Sequence, residues 1–353
     1  MKNLIYNEPK IIFFLDDTSS SNGGARPLIN WARFMSDNSI LLSLRKFNDI
    51  TIENLIVVNS IDEAINVAKK YEIIVVSDNS IKRGLKIAEN SGLRLVVYCQ
   101  VPFGMHSLGL ESEYDSPKNR LLYGVSKSIP FRILTVKYRR NLKKANLIIA
   151  NSLNMHILLN FVYGILDSAI LYPPVASNTF ARKKGATKDS ITIFIGREGD
   201  LNNINAIKKI VDVAERYNLK INILGSYNLD NEDYLKNHKI TFLKGISDEQ
   251  LVDTYNKSFV TICIQQQEYF GYVPVESLLC GTPSITLYHH NASEVNHIFK
   301  KYIITSNILN LTDDLTNLID AQMKDYLNIN IKYVSNLFSI EYSATQLLLL
   351  LKK

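Results

Sequence analysis

The chain has 353 residues, 46% of them hydrophobic and 21% charged, with a formal net charge of +6 at pH 7. Single cores stop growing at roughly 250–300 residues, so this length implies about two domains of an ordinary soluble protein. No apolar run approaches the ~18 residues of a membrane span. The three cysteines, Cys99, Cys263 and Cys280, sit in apolar stretches at spacings that suit neither a zinc site nor a disulfide framework.

Buried, reduced thiols are therefore expected, with a cytoplasmic location as the default. The N-terminus reaches polar and charged residues too early for a secretory signal. Charge is unevenly spread. Residues 1–175 hold 21 Lys+Arg and 15 Asp+Glu, a balance of +6, whereas residues 176–353 hold 19 of each. A basic first half suits an anionic partner, such as a phosphorylated acceptor or an anionic membrane face.

In chain order, Ile11–Asp16 reads as a buried strand, followed by a turn at Gly23-Gly24 and a helix over Pro27–Met35. Strand-like runs follow at Leu55–Val58, Ile73–Ser77, Arg94–Cys99 and Leu147–Ala150, with helical stretches such as Ile61–Lys70 and Ile81–Asn90 between them. Strands alternating with helices imply βαβ units and a parallel sheet. The segment from Ser107 to Ser128 is polar and irregular, as functional loops are. Phe131–Ala145 is a helical stretch rich in Arg and Lys. Its charge suits contact with anionic lipid close to a lipid-phosphate-linked acceptor. Pro173-Pro174 closes the first half, and Ser177–Ser190 reads as a linker. A second series has strands at Ile191–Ile195, Lys220–Leu224, Ile240–Leu243, Val260–Ile264 and Ser284–Leu287. Its helices fall near Asn203–Tyr217, Asp248–Lys257 and Val273–Cys280, and the chain is helical again from about Leu311. Three parts are expected: 1–175, 176–330 and a terminal helix over 331–353. Ligands of such folds sit beyond the carboxyl ends of the strands, here in a cleft between two facing domains.

The segment Glu268–Pro283 carries most chemistry. Gly271 permits a tight turn and close ligand approach, and Pro274 suits the first turn of a helix. The free N–H groups and dipole at such a helix end favour a phosphate. Glu276, in or near the first turn, would repel that phosphate unless aimed at ribose hydroxyls. Glu268, in the loop before the helix, could accept hydrogen bonds from sugar hydroxyls.

This segment resembles the E-x7-E motif of retaining GT-B glycosyltransferases, particularly glycosyltransferase family 4, in Glu268, Phe270, Gly271 and Glu276 and then Cys280-Gly281-Thr282-Pro283. The resemblance implies two Rossmann-like doubly wound domains, the first binding acceptor and the second nucleotide sugar. It implies that Glu268 meets the transferred sugar, that Glu276 holds the ribose, and that the backbone near Gly271 and Tyr272 meets the sugar or phosphates. Gly23-Gly24 resembles the glycine loop facing the donor phosphates. Leu171–Val175 is similar to the crossing between domains. Gly196-Arg197 resembles the strand end whose arginine clamps the diphosphate, a role suited to a bidentate guanidinium. Lys244-Gly245 is like the loop near the nucleobase, and Phe338–Glu341 is like the start of the last helix.

Three positions depart from the family pattern. Asn202 stands where a lysine usually follows the arginine, leaving Arg26 as a possible substitute cation. Gln100 replaces the usual histidine near the sugar, with His106 six residues on; a glutamine can hydrogen-bond a hydroxyl but cannot titrate. His289–Glu294 replaces the usual Gly-Gly before a glutamate, and its adjacent histidines lack the carboxylates of a metal site.

The expected activity is retaining, metal-independent transfer of a hexose-type sugar from a UDP- or GDP-linked donor to a glycan or polyprenyl-phosphate-linked acceptor. No further cofactor and no nucleic-acid partner is expected. The protein is expected in the cytoplasm, where a peripheral position on the inner membrane face is open to it. A catalytically impaired GT-B scaffold that binds nucleotide sugar and a nucleotide-sugar epimerase are the alternative readings.

Overall fold

A computed structural model describes residues 8–16, 25–45, 52–100, 131–196, 204–225, 238–264, 270–287 and 294–352. The chain folds into two compact units. The first contains the described residues up to Val175 together with Phe338–Lys353; the second contains Ala176–Leu337. Each has the parallel α/β architecture of a GT-B domain.

The first unit runs β1 (Ile11–Leu15), α1 (Arg26–Phe34), β2 (Ser39–Ser43), β3 (Leu55–Val57), α2 (Ile61–Ala68), β4 (Ile73–Ser77), α3 (Ile81–Ser91) and β5 (Arg94–Cys99). It continues with α4 (Phe131–Leu142), β6 (Leu147–Ala150), α5 (Leu153–Tyr163) and β7 (Ser168–Ile170). The strands form one parallel sheet in the order β3-β2-β1-β4-β5-β6-β7. β1 and β4 are buried along their whole length, as expected of strands covered by helices on both faces. One face packs Ile12, Phe14, Ile74 and Val76 against α2, α3 and α5. The other packs Ile11, Phe13 and Val75 against α1 and the last helix.

The second unit runs β8 (Ser190–Gly196), α6 (Ile204–Arg216), β9 (Lys220–Gly225), β10 (Ile240–Leu243), α7 (Asp248–Lys257), β11 (Ser258–Cys263) and α8 (Tyr272–Leu279). It continues with β12 (Ser284–Leu287), α9 (Glu294–Ile298), β13 (Ile303–Ser306), α10 (Leu311–Met323) and α11 (Ile331–Phe338). Its parallel sheet has the order β10-β9-β8-β11-β12-β13. Ser247 starts α7 with a capping box, its hydroxyl accepting from Gln250 N–H while the Gln250 side chain accepts from Ser247 N–H.

The last helix, α12 (Ile340–Leu351), belongs to the first unit. Ala344, Leu347 and Leu351 enter its core. Ser343 Oγ accepts from Trp31 Nε1 at 3.1 Å and donates to the Tyr172 carbonyl at 2.9 Å. β2, α5, β7, α9 and β13 are elements that the sequence reading did not assign. The strands are short, and α5 carries apolar residues on two sides, so its period does not show.

Candidate active site

In a doubly wound sheet, ligands bind beyond the carboxyl ends of the two neighbouring strands at which the order reverses. In the second unit those strands are β8 and β11, paired with Phe194 opposite Cys263. β8 ends at Gly196 with φ 75°, and Ile264 N–H, just past β11, donates to the Phe194 carbonyl at 3.0 Å. Gly225, ending β9, has φ 130°, and a Cβ there would stand 2.5 Å from the Gly196 carbonyl oxygen. A glycine is required for two strand ends to come this close. The strand end that precedes Arg197 and the segment that leads to Phe270-Gly271 thus issue from adjacent strands at the reversal. Arg197 and Glu268 themselves lie outside the described residues, as do Gly23, Gly24, Asn202, His106, His289 and His290.

Gly271, with φ 100°, is the residue before α8, so the helix begins at Tyr272, one residue earlier than its pattern indicated. Pro274 sits in its first turn, where no intrahelical N–H is needed. Every residue from Val273 to Leu279 is buried, Phe270 is buried beside Tyr272 with ring centroids 5.2 Å apart, and Tyr272 is partly exposed. The helix body is therefore enclosed, and its first residue reaches the surface.

Glu276 lies in the second turn, deeper than the first-turn position expected, and is 2% exposed. The Tyr255 hydroxyl, from α7, stands 3.5 Å from its Oε2. A buried carboxyl group is costly unless polar partners meet it, and this phenol is one such partner. Tyr255 itself is fully buried and packs against Phe180 at 6.4 Å. Nothing in its sequence surroundings singled it out, because a tyrosine on the inner face of an amphipathic helix reads as core.

The Cys280–Pro283 part of the motif lies at the other end of the sheet. Gly281, with φ 78°, reverses the chain after α8. The Pro283 carbonyl accepts from Thr261 N–H at 3.0 Å, and Thr282 Oγ1 donates to the Tyr255 carbonyl at 2.7 Å. Lys188 Nζ donates to Thr282 Oγ1 at 2.7 Å and to the Ser258 carbonyl at 2.5 Å. Burial, with the Arg182 charge adding to it, lowers the Lys188 amine to about 8. Burial and then the Glu276 carboxylate push the Cys280 thiol up to about 12, leaving it protonated and inert. This half of the motif fixes the turn from α8 into β12.

In the first unit the order reverses between β1 and β4. Beyond these strands, Asp16 Oδ1 accepts from Ser80 Oγ at 2.9 Å, and its Oδ2 pairs with Arg83 at 2.8 Å. Beside them Asp78 is 4% exposed, with Gln100 N–H 3.4 Å from Oδ1 and the Tyr138 hydroxyl 3.3 Å from Oδ2. Gln100 directly follows β5, is buried, and accepts at its carbonyl from Asn151 Nδ2 at 3.4 Å. Burial, then the neighbouring Asp78 charge, raises the Cys99 thiol well above its ordinary range. Gln100 was named from the sequence as a partner for a sugar hydroxyl, whereas Asp16 and Asp78 were not singled out.

Lys244 is exposed just past β10, and Gly245 follows with φ 63°. Arg26 opens α1, partly buried. Among the described residues no group of three or more His, Cys, Asp or Glu side chains could hold a metal ion, and no helix is long and apolar enough to cross a membrane.

Residues 177–332 match the family model for glycosyl transferases group 1. That match covers most of the second unit, and the two parallel α/β units together fit the GT-B fold. At the level of particular proteins, a 116-residue stretch is 30% identical to an uncharacterized glycosyltransferase of Methanocaldococcus jannaschii, covering 30% of this chain and 29% of that relative. The match therefore spans less than a third of that relative's length. The Anabaena protein HepE, solved with UDP and glucose, aligns with a TM-score of 0.71 at 14% identity over 98% of this chain and 100% of its own. Sucrose-phosphate synthase from Thermosynechococcus elongatus aligns with a TM-score of 0.71 at 14% identity over 97% of this chain and 98% of its own.

Proposed function

We propose that the chain moves a hexose-type sugar from a UDP- or GDP-linked donor to a glycan or polyprenyl-phosphate-linked acceptor, with retention of configuration and without a metal. The observation that carries this reading is the Gly271–Glu276 segment. A left-handed glycine opens α8 at the strand reversal, and a buried glutamate stands one turn inside. The N–H groups and dipole at the start of α8 take the diphosphate, and Glu276 accepts the ribose hydroxyls. Arg197, directly after Gly196, supplies the cation that receives charge as the sugar–phosphate bond breaks. Glu268 orients the sugar and stabilises its cation-like transition state. The acceptor hydroxyl attacks from the leaving-group face and passes its proton to the departing phosphate. The HepE complex with UDP and glucose agrees with a donor of this kind. In the first unit, Gln100 offers its amide to a sugar hydroxyl.

Turnover of a panel of nucleotide sugars, followed by assignment of the product anomer, tests the reading. Glu268→Ala and Arg197→Ala are each expected to slow transfer by ~10²–10³ with the melting temperature retained. Wild-type turnover in both variants would reject the assignment, and an inverted product would reject retention.

A further inference from the structure

We propose that the first unit docks on an anionic lipid bilayer through the outer faces of α4 and α5. The surface uses none of the proposed donor residues and does not depend on the transferase reading. α5 is apolar on two sides. Met155, Leu159 and Tyr163 face the core, while Leu153, Ile157 and Phe161 are exposed on the outside. These three recur every four residues, so they form one row along the helix. Phe161 is 84% exposed, and Leu166, beyond the helix end, is 68% exposed. Single exposed apolar side chains are ordinary, but an aligned row marks a contact surface. No acidic residue occurs in α4 or α5.

α4 lies against the same end of α5. The Tyr138 and Tyr163 rings meet edge to face at 5.1 Å. The Arg139 guanidinium reaches the residue that ends α5, where a Cβ on Gly164 would stand 3.0 Å from Nη2. Lys137, Arg139, Arg140 and Lys143 are all exposed, whereas Lys144 is paired with Glu89 at 2.9 Å. Asp167 is the acidic group beside Leu166, and it is outnumbered by these cations. An apolar row flanked by arginine and lysine matches the acyl and headgroup layers of an anionic membrane surface. A second copy of this chain fits less well, because a twofold contact across the row would bring the two basic helices together.

The test is co-sedimentation of the full chain with vesicles of phosphatidylcholine alone and of phosphatidylcholine with phosphatidylglycerol. The protein is expected on the anionic vesicles, released by high salt, and absent from the neutral ones. Arg139→Ala with Arg140→Ala lowers partitioning by roughly thirtyfold. Ile157→Ser with Phe161→Ser lowers it by about tenfold or more. Thermal melts confirm that both pairs remain folded, since all four side chains are exposed. Equal partitioning to both vesicle types overturns the proposal, as does wild-type partitioning by either pair. A concentration-dependent dimer that is lost in Phe161→Ser, with no vesicle binding, also overturns it and assigns the row to a second copy.

Discussion

Two side chains in the second unit carry consequences that can be measured one residue at a time. Burial lowers the Lys188 amine to about 8, against its ordinary 10.5. Between these values the unfolded chain binds a proton at this position that the folded chain does not, so stability rises with pH across that window. Cys280, raised to about 12, opposes this only above its ordinary value of 9, where the unfolded thiol ionises first. From pH 8 to 9 the wild type should therefore gain up to about 1 kcal/mol relative to Lys188→Met, read from urea unfolding at each pH. A difference that stays flat, or falls, over that interval would show that the amine is not perturbed. Glu276 gives a binding prediction. Glu276→Gln keeps the shape but removes the charge from the proposed ribose site, and hydrogen bonds to charged groups contribute about 1.5–3 kcal/mol. UDP affinity by calorimetry should fall about 10- to 100-fold, with Tyr255→Phe producing a smaller loss in the same direction.

At the scale of elements, the glycines that matter end strands. Gly225 meets the Gly196 carbonyl backbone to backbone, at a distance that leaves no room for a Cβ and with φ 130°. Gly225→Ala should cost about 2–4 kcal/mol, because the Gly196 carbonyl is backbone and the other close neighbour, Ile195 Cγ1 at 2.8 Å, belongs to a buried side chain in the core. The melting temperature of the second-unit transition reports it, and unchanged melting would contradict the close approach. Helix α8 shows how far a motif can be read. Gly271 and Pro274 were legible as a helix start, because each has a local backbone reason to be there. The burial of Glu276 against Tyr255 was not, because the two are 21 residues apart and meet only when α7 packs on α8. Likewise Cys280–Pro283 was read together with the donor residues, although it turns the chain at the far end of the sheet.

For the molecule as a whole, α12 ties the end of the chain into the first unit through Trp31, Tyr172 and the cluster around Leu347. Leu347→Ala should destabilise the first unit by about 2–5 kcal/mol, a cavity cost, and leave the second-unit transition in place. Urea unfolding followed by Trp31 fluorescence isolates that unit, since Trp31 is the single tryptophan. A shift confined to the second-unit transition would contradict this packing. Local patterning alone determined the alternation of strand and helix, two parallel sheets and the glycine-opened helix that bears Glu276, because each is dictated by neighbours within a few residues. Tertiary structure decided what depends on distant partners. It set the order of the strands, brought the end of β8 beside that of β11, and paired Tyr255 with Glu276. It also left the Leu153–Phe161 row outside the core, where periodicity could not distinguish a buried apolar face from an exposed one.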